Sequence, residues 1–199
     1  MGKKMKSTNV KIIAGLVIIL LFIGTGLNCT DVSEGVPQEI ETIEIEYTFT
    51  EPRMESVAET ECYSITMEDT QKYYDKPGLP LLPFRTAMVP IPDGRDVETI
   101  KITPGKRVVI EGQFKIEYAK QQIPISRPDQ VVEVEPNMEI YGSSSPFPGE
   151  LYSVVSTQYQ RGSKILILNL YSVQYIPLLG EISYYQEIKV LVTTVPANS

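Results

Sequence analysis

The 199-residue sequence contains no histidine and no tryptophan, and it has only two cysteines. Without histidine there is no Ser-His-Asp or Cys-His nucleophile, no histidine general base and no histidine-ligated metal site. Two cysteines are too few for a zinc–thiolate cage. An enzyme would have to work with carboxylates, lysine or tyrosine alone. The composition therefore favours a protein that is not an enzyme and that uses no metal or cofactor.

Residues 1–29 have a composition of their own. An uninterrupted apolar run of about 16 residues extends from Ile12 to Leu27, and a spanning helix needs roughly 20. The run follows a basic stretch without acidic residues, which holds Lys3, Lys4, Lys6 and Lys11. This pattern predicts a secretory signal peptide, and an uncleaved N-terminal membrane anchor helix is the alternative.

The two cysteines have different sequence contexts. Cys29 follows Gly26-Leu27-Asn28, an order that resembles a lipoprotein cleavage site. After export, Cys29 is expected either to be lipidated or to form a disulfide with Cys62. If it is lipidated, Cys62 remains a small buried thiol in a strand-like segment.

Export changes the charge balance of the chain. Residues 1–29 hold four of the 18 basic residues and none of the 25 acidic ones, so residues 30–199 carry 14 basic and 25 acidic side chains, a net of −11. Such a surface repels nucleic acid and anionic lipid headgroups. The sequence thus excludes nucleic-acid binding and allows membrane contact only through the N-terminal segment. The expected location is outside the cell or on the outer face of the cytoplasmic membrane.

Residues 30–199 are long enough for one domain, and they contain all 15 prolines and all 12 tyrosines. Ile43–Phe49 alternates apolar and polar residues, as a half-buried strand does. Lys164–Tyr175 and Ile182–Val192 predict a long antiparallel hairpin. A short helix is predicted for Thr66–Tyr74. Many short strands with Pro and Gly turns predict an all-β fold, an antiparallel sandwich or jelly roll.

One segment, 119–129, is polar, contains two prolines and carries Lys120 and Arg127 in an otherwise acidic domain. It is either an ordinary surface loop or an extended segment that occupies the cleft of another protein. Proline favours the second interpretation, because it reduces the conformational freedom lost on docking.

The tyrosines raise a second possibility, a cell-surface β-sandwich module that binds carbohydrate or protein. Tyr118, Tyr171, Tyr175 and Tyr184 lie within strand patterns, where packing in a core is the default. A carboxylate-only enzyme is a third possibility, although nothing in the sequence places two acidic residues across a cleft.

Two motifs resemble the N-terminal propeptide domain of the gingipain-type (family C25, caspase-like) cysteine peptidases. The first is Gly78-Leu79-Pro80-Leu81-Leu82-Pro83, followed by a strand that ends in a turn at Pro92-Asp93-Gly94. The second is the hairpin from Leu170 to Tyr185, which is close to the family signature YPVQYNPxxGEL but has Ser172 for Pro and Ile176 for Asn. The likeness spans residues 75–195. The matching positions are Gly78, Pro80, Pro83, Pro92, Gly94, Tyr171, Val173, Gln174, Tyr175, Pro177, Gly180 and Glu181.

The resemblance implies an all-β propeptide that assists folding of a peptidase and keeps it latent by placing a basic loop residue in the substrate pocket. Arg127 is the first candidate for that residue and Lys120 the second. The catalytic Cys and His of the family lie in a caspase-like domain that follows the hairpin. Because this sequence ends at Ser199 without histidine, we expect a stand-alone inhibitor or a shortened precursor. The expected partner is the peptidase domain, encoded in the same gene or acting in trans.

Overall fold

The computed structural model describes residues 10–14, 39–58, 60–72, 76–121 and 133–197. Within these ranges the chain forms thirteen strands, one short α-helix and one 3-10 helix. The helix α1 covers Met138–Tyr141 and the 3-10 helix covers Pro177–Leu179. In chain order the strands are β1 (Val10–Ala14), β2 (Glu41–Thr48), β3 (Arg53–Ser56), β4 (Tyr63–Thr66), β5 (Gln71–Lys72), β6 (Pro83–Ile91), β7 (Arg95–Pro104), β8 (Arg107–Ile110), β9 (Tyr152–Gln160), β10 (Ser163–Leu170), β11 (Val173–Ile176), β12 (Glu181–Tyr185) and β13 (Glu187–Pro196).

The strands form two four-stranded sheets and two smaller ones, and every pairing between these strands is antiparallel. The first large sheet has the order β1-β2-β13-β7, and the second has the order β5-β6-β10-β9. A three-stranded sheet has the order β11-β12-β8, and β3 pairs with β4. The all-β sandwich predicted from the sequence is confirmed.

One core joins the sheets. In the first sheet Ile43 and Val190 are buried on the inner face, as the alternation along β2 and β13 predicts. In the second sheet the buried residues include Val89 of β6 and Leu168 of β10. These side chains belong to a single cluster with residues of the three-stranded sheet. Ile165–Leu168 is apolar at four successive positions, which is typical of a strand covered on both faces, and it belongs to β10, which lies between β6 and β9.

The helix predicted for Thr66–Tyr74 is wrong. Thr66 ends β4, a turn follows, and Gln71–Lys72 pairs with the start of β6. Asp69 has a φ of 58°, a left-handed conformation that does not occur inside a right-handed helix. The Thr70 hydroxyl donates to the carbonyl of Met67 at 2.8 Å and closes the turn. Local hydrogen bonding of this kind competes with helix formation.

The long hairpin predicted for Lys164–Tyr175 and Ile182–Val192 is only partly correct. The two segments pair directly over β11 and β12, with Val173 opposite Tyr184 and Ile176 opposite Glu181. Before Ser172 the chain belongs to the second large sheet, and after Gln186 it belongs to the first. An alternating pattern shows which face of a strand is buried, but it does not show where a strand changes its neighbours.

Of the predicted N-terminal segment 1–29, the structure describes only Val10–Ala14, which pairs with β2 as a strand. The remainder of the signal or anchor prediction lies outside the described residues. In the described ranges, no helix has the length and apolar character needed to cross a membrane.

Candidate functional site

Gly78 and Leu79 join the two chain segments that flank residues 120–132. On one side the Gly78 amide donates to the Ala119 carbonyl at 2.8 Å, and the Ala119 amide donates to the Leu79 carbonyl at 2.8 Å. On the other side the Asn137 amide donates to the Gly78 carbonyl at 2.9 Å. We call Gly78–Pro80, Glu117–Ala119 and Asn137 the loop base, because the chain leaves it after Ala119 and returns to it at Asn137.

The close packing of the loop base requires glycine at position 78. Gly78 has a φ of 85°, and a Cβ atom built there would lie 2.8 Å from the Glu135 carbonyl oxygen and 3.3 Å from the Asn137 nitrogen. Any other residue would face both the backbone strain and this overlap. Pro80 is buried and forms a bridge with Tyr118. Pro83 is buried at the start of β6, opposite Lys72.

A short helix fixes the point where the chain returns. The Asn137 side chain accepts from the amides of Glu139 at 3.0 Å and Ile140 at 3.3 Å, and so caps α1. At the end of α1, the Tyr141 hydroxyl donates to the Ile116 carbonyl at 2.8 Å. Burial raises the pKa of Tyr141 above its usual range, so this hydroxyl stays a neutral donor.

The hairpin motif braces the same segment from the other side. Tyr175 is 1% exposed, and its hydroxyl donates to the Phe114 carbonyl at 2.9 Å and accepts from the Ile116 amide at 3.4 Å. Burial raises the pKa of Tyr175 too. Residues 114–116 are thus held by two tyrosine hydroxyls, one from the hairpin and one from α1.

The turn of the hairpin also contacts Phe114. Gly180 has a φ of 64°, and its carbonyl accepts from the Phe114 amide at 2.9 Å. Pro177 is buried as the first residue of the 3-10 helix, where its missing N–H costs nothing. Glu181 forms an ion pair with Arg107 of β8 at 3.2 Å.

The remaining residues of the hairpin motif connect it to the start of β9. Val173 is fully buried. The Gln174 side chain is 5% exposed, accepts from the Gly149 amide at 3.1 Å and donates to the Glu150 and Tyr171 carbonyls at 3.3 Å. The Tyr171 hydroxyl lies 2.8 Å from the Ser153 hydroxyl. Each hairpin residue that the sequence singled out therefore has an internal structural contact.

The predicted turn at Pro92-Asp93-Gly94 is present but lies away from the loop base. Gly94 has a φ of 71°, and nothing lies within 4 Å of the position that a Cβ atom would take there. The Arg95 amide donates to the Pro92 carbonyl at 3.3 Å, and the Ala197 amide donates to the Gly94 carbonyl at 2.8 Å. This turn connects β6 to β7 and holds residue 197 beside it.

The two basic candidates differ in where they lie. Lys120 is exposed and directly follows the last anchored residue of the loop base. Arg127 lies outside the described residues. Cys62 is half-buried next to β4, while Cys29 lies outside the described residues, so their pairing or lipidation stays a prediction. The packing expected for the tyrosines is present, since Tyr175 and Tyr184 are buried and Tyr118 and Tyr171 are half-buried.

A polar brace behind the loop base was not predicted from the sequence. The Lys72 ammonium contacts the Ser64 hydroxyl and lies 2.8 Å from the Glu117 carboxylate. Burial alone would raise the pKa of Glu117, but the hydrogen bonds from Lys72 and Ser64 and the charges of Lys72 and Lys120 together lower it. These residues come from three separate stretches of chain, so no local sequence pattern indicates them.

Beside the loop base lies an apolar cavity of about 260 Å³, lined by Leu79, Leu82, Phe84, Ala119 and Phe147 among others. The described residues contain no group of three or more acidic or cysteine side chains suited to hold a metal ion. The described part of the site is thus an apolar cavity beside the loop base.

Comparisons with known proteins agree with this architecture. The family model Propeptide_C25 matches residues 30–199. Among solved structures, the complex of Porphyromonas gingivalis RgpB pro- and mature domains matches with a TM-score of 0.60 and 18% identity, covering 79% of this chain and 82% of that one. A structure on the zymogenic latency of gingipain K from the same organism matches with a TM-score of 0.62 and 19% identity, covering 77% of this chain and 86% of that one. No curated protein matches the chain.

At these identities the structural neighbours establish the fold, and the family model establishes the family. The resemblance expected from the Gly-x-Pro-x-x-Pro segment and the hairpin motif is confirmed. The match over residues 30–199 shows that the chain belongs to the Propeptide_C25 family, the propeptides of gingipain-type cysteine peptidases.

Proposed function

We propose that residues 30–199 assist the folding of a gingipain-type, caspase-like cysteine peptidase and inhibit it by occupying its substrate cleft. The domain itself performs no catalysis in this proposal. The peptidase domain is either part of the same gene product or a separate chain that binds in trans. The known complex of RgpB pro- and mature domains supports the choice of partner, since it joins a domain of this fold to its peptidase.

The observation that carries the proposal is the loop base. Hydrogen bonds of 2.8 to 2.9 Å connect Gly78 and Leu79 to Ala119 and to Asn137, the two flanks of residues 120–132. A segment with fixed ends loses less conformational freedom when it docks into a cleft. An inhibitor that inserts one side chain into a pocket requires a loop base that is fixed in this way.

Electrostatics support Arg127 over Lys120 as the inserted residue. The charge of Lys120 contributes to the lowered pKa of Glu117, so its ammonium lies near that carboxylate. Moving the Lys120 charge into a pocket would give up this electrostatic attraction to Glu117. Arg127 is seven residues further along the sequence, and its planar guanidinium can form a bidentate pair with a carboxylate in an acidic pocket.

The test is inhibition of a purified gingipain-type peptidase domain by this chain and its variants. Arg127→Ala is expected to weaken inhibition roughly 30- to 4,000-fold, because truncating one partner of a buried charge pair costs about 2–5 kcal/mol. Lys120→Ala should change inhibition by less than about threefold. Arg53→Ala, which removes an exposed arginine of β3, is the matched control.

Unchanged inhibition by Arg127→Ala together with a large loss in Lys120→Ala would move the role to Lys120. If neither variant changes a measurable inhibition, the pocket-insertion mechanism is wrong although the propeptide assignment stands. If the wild-type chain neither inhibits the peptidase nor raises its refolding yield, the proposed function itself is wrong.

We also propose that residues 1–29 export the chain and that Cys29 is either lipidated or paired with Cys62 in the exported protein. The basic stretch before the apolar run of Ile12–Leu27 supports this. The intact mass of the chain recovered from expressing cells distinguishes a cleaved and acylated N-terminus at Cys29 from an uncleaved anchor.

A further inference from the structure

Strand β9 forms an open edge of the second large sheet. In the order β5-β6-β10-β9 it is the last strand, and no other strand in the described part of the chain pairs with its far side. It is nine residues long, Tyr152–Gln160, and its sequence YSVVSTQYQ contains no charged residue and no proline. A long edge strand of this composition is an open template for another strand.

Two other edges of the large sheets are protected in the usual ways. Strand β7, the edge of the first sheet opposite β1, carries the charged residues Arg95, Asp96, Glu98 and Lys101. Strand β5, at the other edge of the second sheet, is only two residues long. Charge and shortness are the devices by which β-proteins avoid edge-to-edge pairing. Strand β9 has neither device, although the domain as a whole is strongly acidic.

Strand β9 also exposes apolar side chains. Val154 and Val155 are each 54% exposed and Tyr159 is 74% exposed. Val155 lies at a bulge, where the register with β10 shifts. Pairing with a second strand would cover part of this apolar surface and would satisfy the free backbone groups of the edge.

The two ends of β9 carry opposite charges. Glu150 lies two residues before the strand, and Arg161 lies immediately after it; both are exposed, and neither forms an ion pair with another described residue. In an antiparallel pair of β9 strands related by a two-fold axis near Ser156, Arg161 of one copy comes opposite Leu151 of the other. Each arginine then lies beside the Glu150 of the other copy. A parallel arrangement would place like charges together.

We infer that β9 is a docking edge for a second copy of this chain, with the two β9 strands antiparallel across a two-fold axis. The two four-stranded sheets then form one continuous sheet of eight strands. Such an interface is self-complementary, as a two-fold dimer requires. The net charge of −11 on residues 30–199 opposes association at long range, and salt near 0.15 M screens this repulsion beyond about 8 Å.

The test is sedimentation equilibrium of the full chain from roughly 1 to 200 µM at about 0.15 M salt. We expect a monomer–dimer equilibrium with a micromolar Kd. Val155→Lys places a charge on the edge and should raise Kd at least about tenfold. Met88→Lys is the matched control: Met88 is 57% exposed but lies on β6, an inner strand of the same sheet, so the substitution should leave Kd unchanged.

A charge swap tests the orientation of the two strands. Glu150→Lys and Arg161→Asp should each raise Kd about threefold to tenfold, and the double variant Glu150→Lys/Arg161→Asp should restore it. Arg161 and Gly162 form the two-residue β9–β10 turn with φ values of 53° and 88°. Asp-Gly is a preferred sequence for such a turn, so Arg161→Asp should not disturb the fold.

Three outcomes would overturn the inference. The first is a chain that stays monomeric at the highest concentration, and the second is an equal effect of Val155→Lys and Met88→Lys. The third is a Val155→Lys variant that dimerises normally but no longer inhibits the peptidase, which would assign the edge to the peptidase instead. Because dimerisation is measured without any peptidase, its failure leaves the proposed inhibitory function untouched.

Discussion

Two hairpins of this domain have the same secondary structure and opposite surroundings. The motif hairpin, β11 and β12 with the turn between them, is covered on both sides, and its turn packs on Phe114 through the 2.9 Å bond from the Phe114 amide to Gly180. The edge hairpin, β9 and β10 with Arg161-Gly162 between them, projects its turn into solvent, and nothing lies within 4 Å of a Cβ position at Gly162.

The comparison shows what the family signature encodes. The signature residues form hydrogen bonds outside the hairpin: Gln174 accepts from the Gly149 amide, and Tyr175 and Gly180 both bond to the backbone of Phe114. The edge hairpin contributes no signature residue, and neither does the loop that carries Lys120 and Arg127. The motif that identifies the family therefore consists of residues that hold the domain together. The surfaces that we propose for binding lie outside it.

The largest expected difference between the hairpins comes from their tyrosines. Tyr175→Ala should reduce the free energy of unfolding by about 3–5 kcal/mol, because it leaves a cavity in the core and unpairs the Phe114 carbonyl. Tyr159→Ala on β9 should change it by less than about 0.5 kcal/mol, since that side chain is 74% exposed. Urea unfolding at low protein concentration measures both.

The conservative variant Tyr175→Phe separates the two contributions. It keeps the ring and removes the hydroxyl, so we expect a loss of about 1–2 kcal/mol. Equal stability of Tyr175→Ala and Tyr159→Ala would contradict the assignment of the motif hairpin as the braced one.

The turn glycines give the second comparison. Gly180→Ala should destabilise the domain by about 2–4 kcal/mol, because a Cβ there would lie 2.9 Å from the Phe114 nitrogen and 3.1 Å from its carbonyl oxygen. Gly162→Ala has a similar backbone strain, with a φ of 88°, but no neighbour to overlap, so we expect about 1–2 kcal/mol. Thermal unfolding of the two variants measures the difference. A Gly162→Ala variant as unstable as Gly180→Ala would show that backbone strain alone accounts for the effect.

The sequence predicted best where one strand has one buried face. Along β2 the alternation of Ile43, Ile45 and Tyr47 with polar residues directly reports the inner side of the sheet. It failed where the chain changes partners. Between Leu170 and Val173, and again at Gln186, the apolar pattern continues while the strand passes from one sheet to another. Periodicity carries no information about which strand lies alongside.

The candidate site was predictable only in part. The signature indicated that Gly78 and Gly180 are special, and the structure shows that both have positive φ and would overlap neighbouring backbone with a Cβ atom. It did not indicate that Lys72, Ser64 and Glu117 meet, because long-range pairing of β-strands brings together residues that are distant along the chain. The open edge of β9 could likewise not be predicted from the sequence, because an edge is defined by the absence of a neighbouring strand and not by the strand itself.

The smallest expected effect is a dependence of the free energy of unfolding on pH. It arises at Glu117, next to the residues 114–116 that the motif hairpin holds. Tyr152–Leu170, the edge hairpin, contains no acidic residue, whereas Glu117 beside the braced segment has a pKa below its ordinary value of 4.5. A carboxyl whose pKa is lowered by folding stabilises the folded state above its unfolded pKa. That contribution should be fully present above pH 4.5 and should be lost as the pH falls through the lower, folded-state pKa.

Glu117→Gln removes this dependence. Relative to wild type it should lose less than about 1 kcal/mol near neutral pH, because Lys72 and Glu117 keep side-chain exposures of 19% and 27%. The difference between the two proteins should shrink as the pH falls below 4.5, where wild-type Glu117 becomes protonated as well. Urea unfolding of both proteins from about pH 7 to pH 3 measures it, with Glu98→Gln on the exposed face of β7 as the control. If the difference in free energy of unfolding stays constant across this range, the Lys72–Glu117 contact contributes through its shape and not through its charge. The two hairpins would then differ only in their packing.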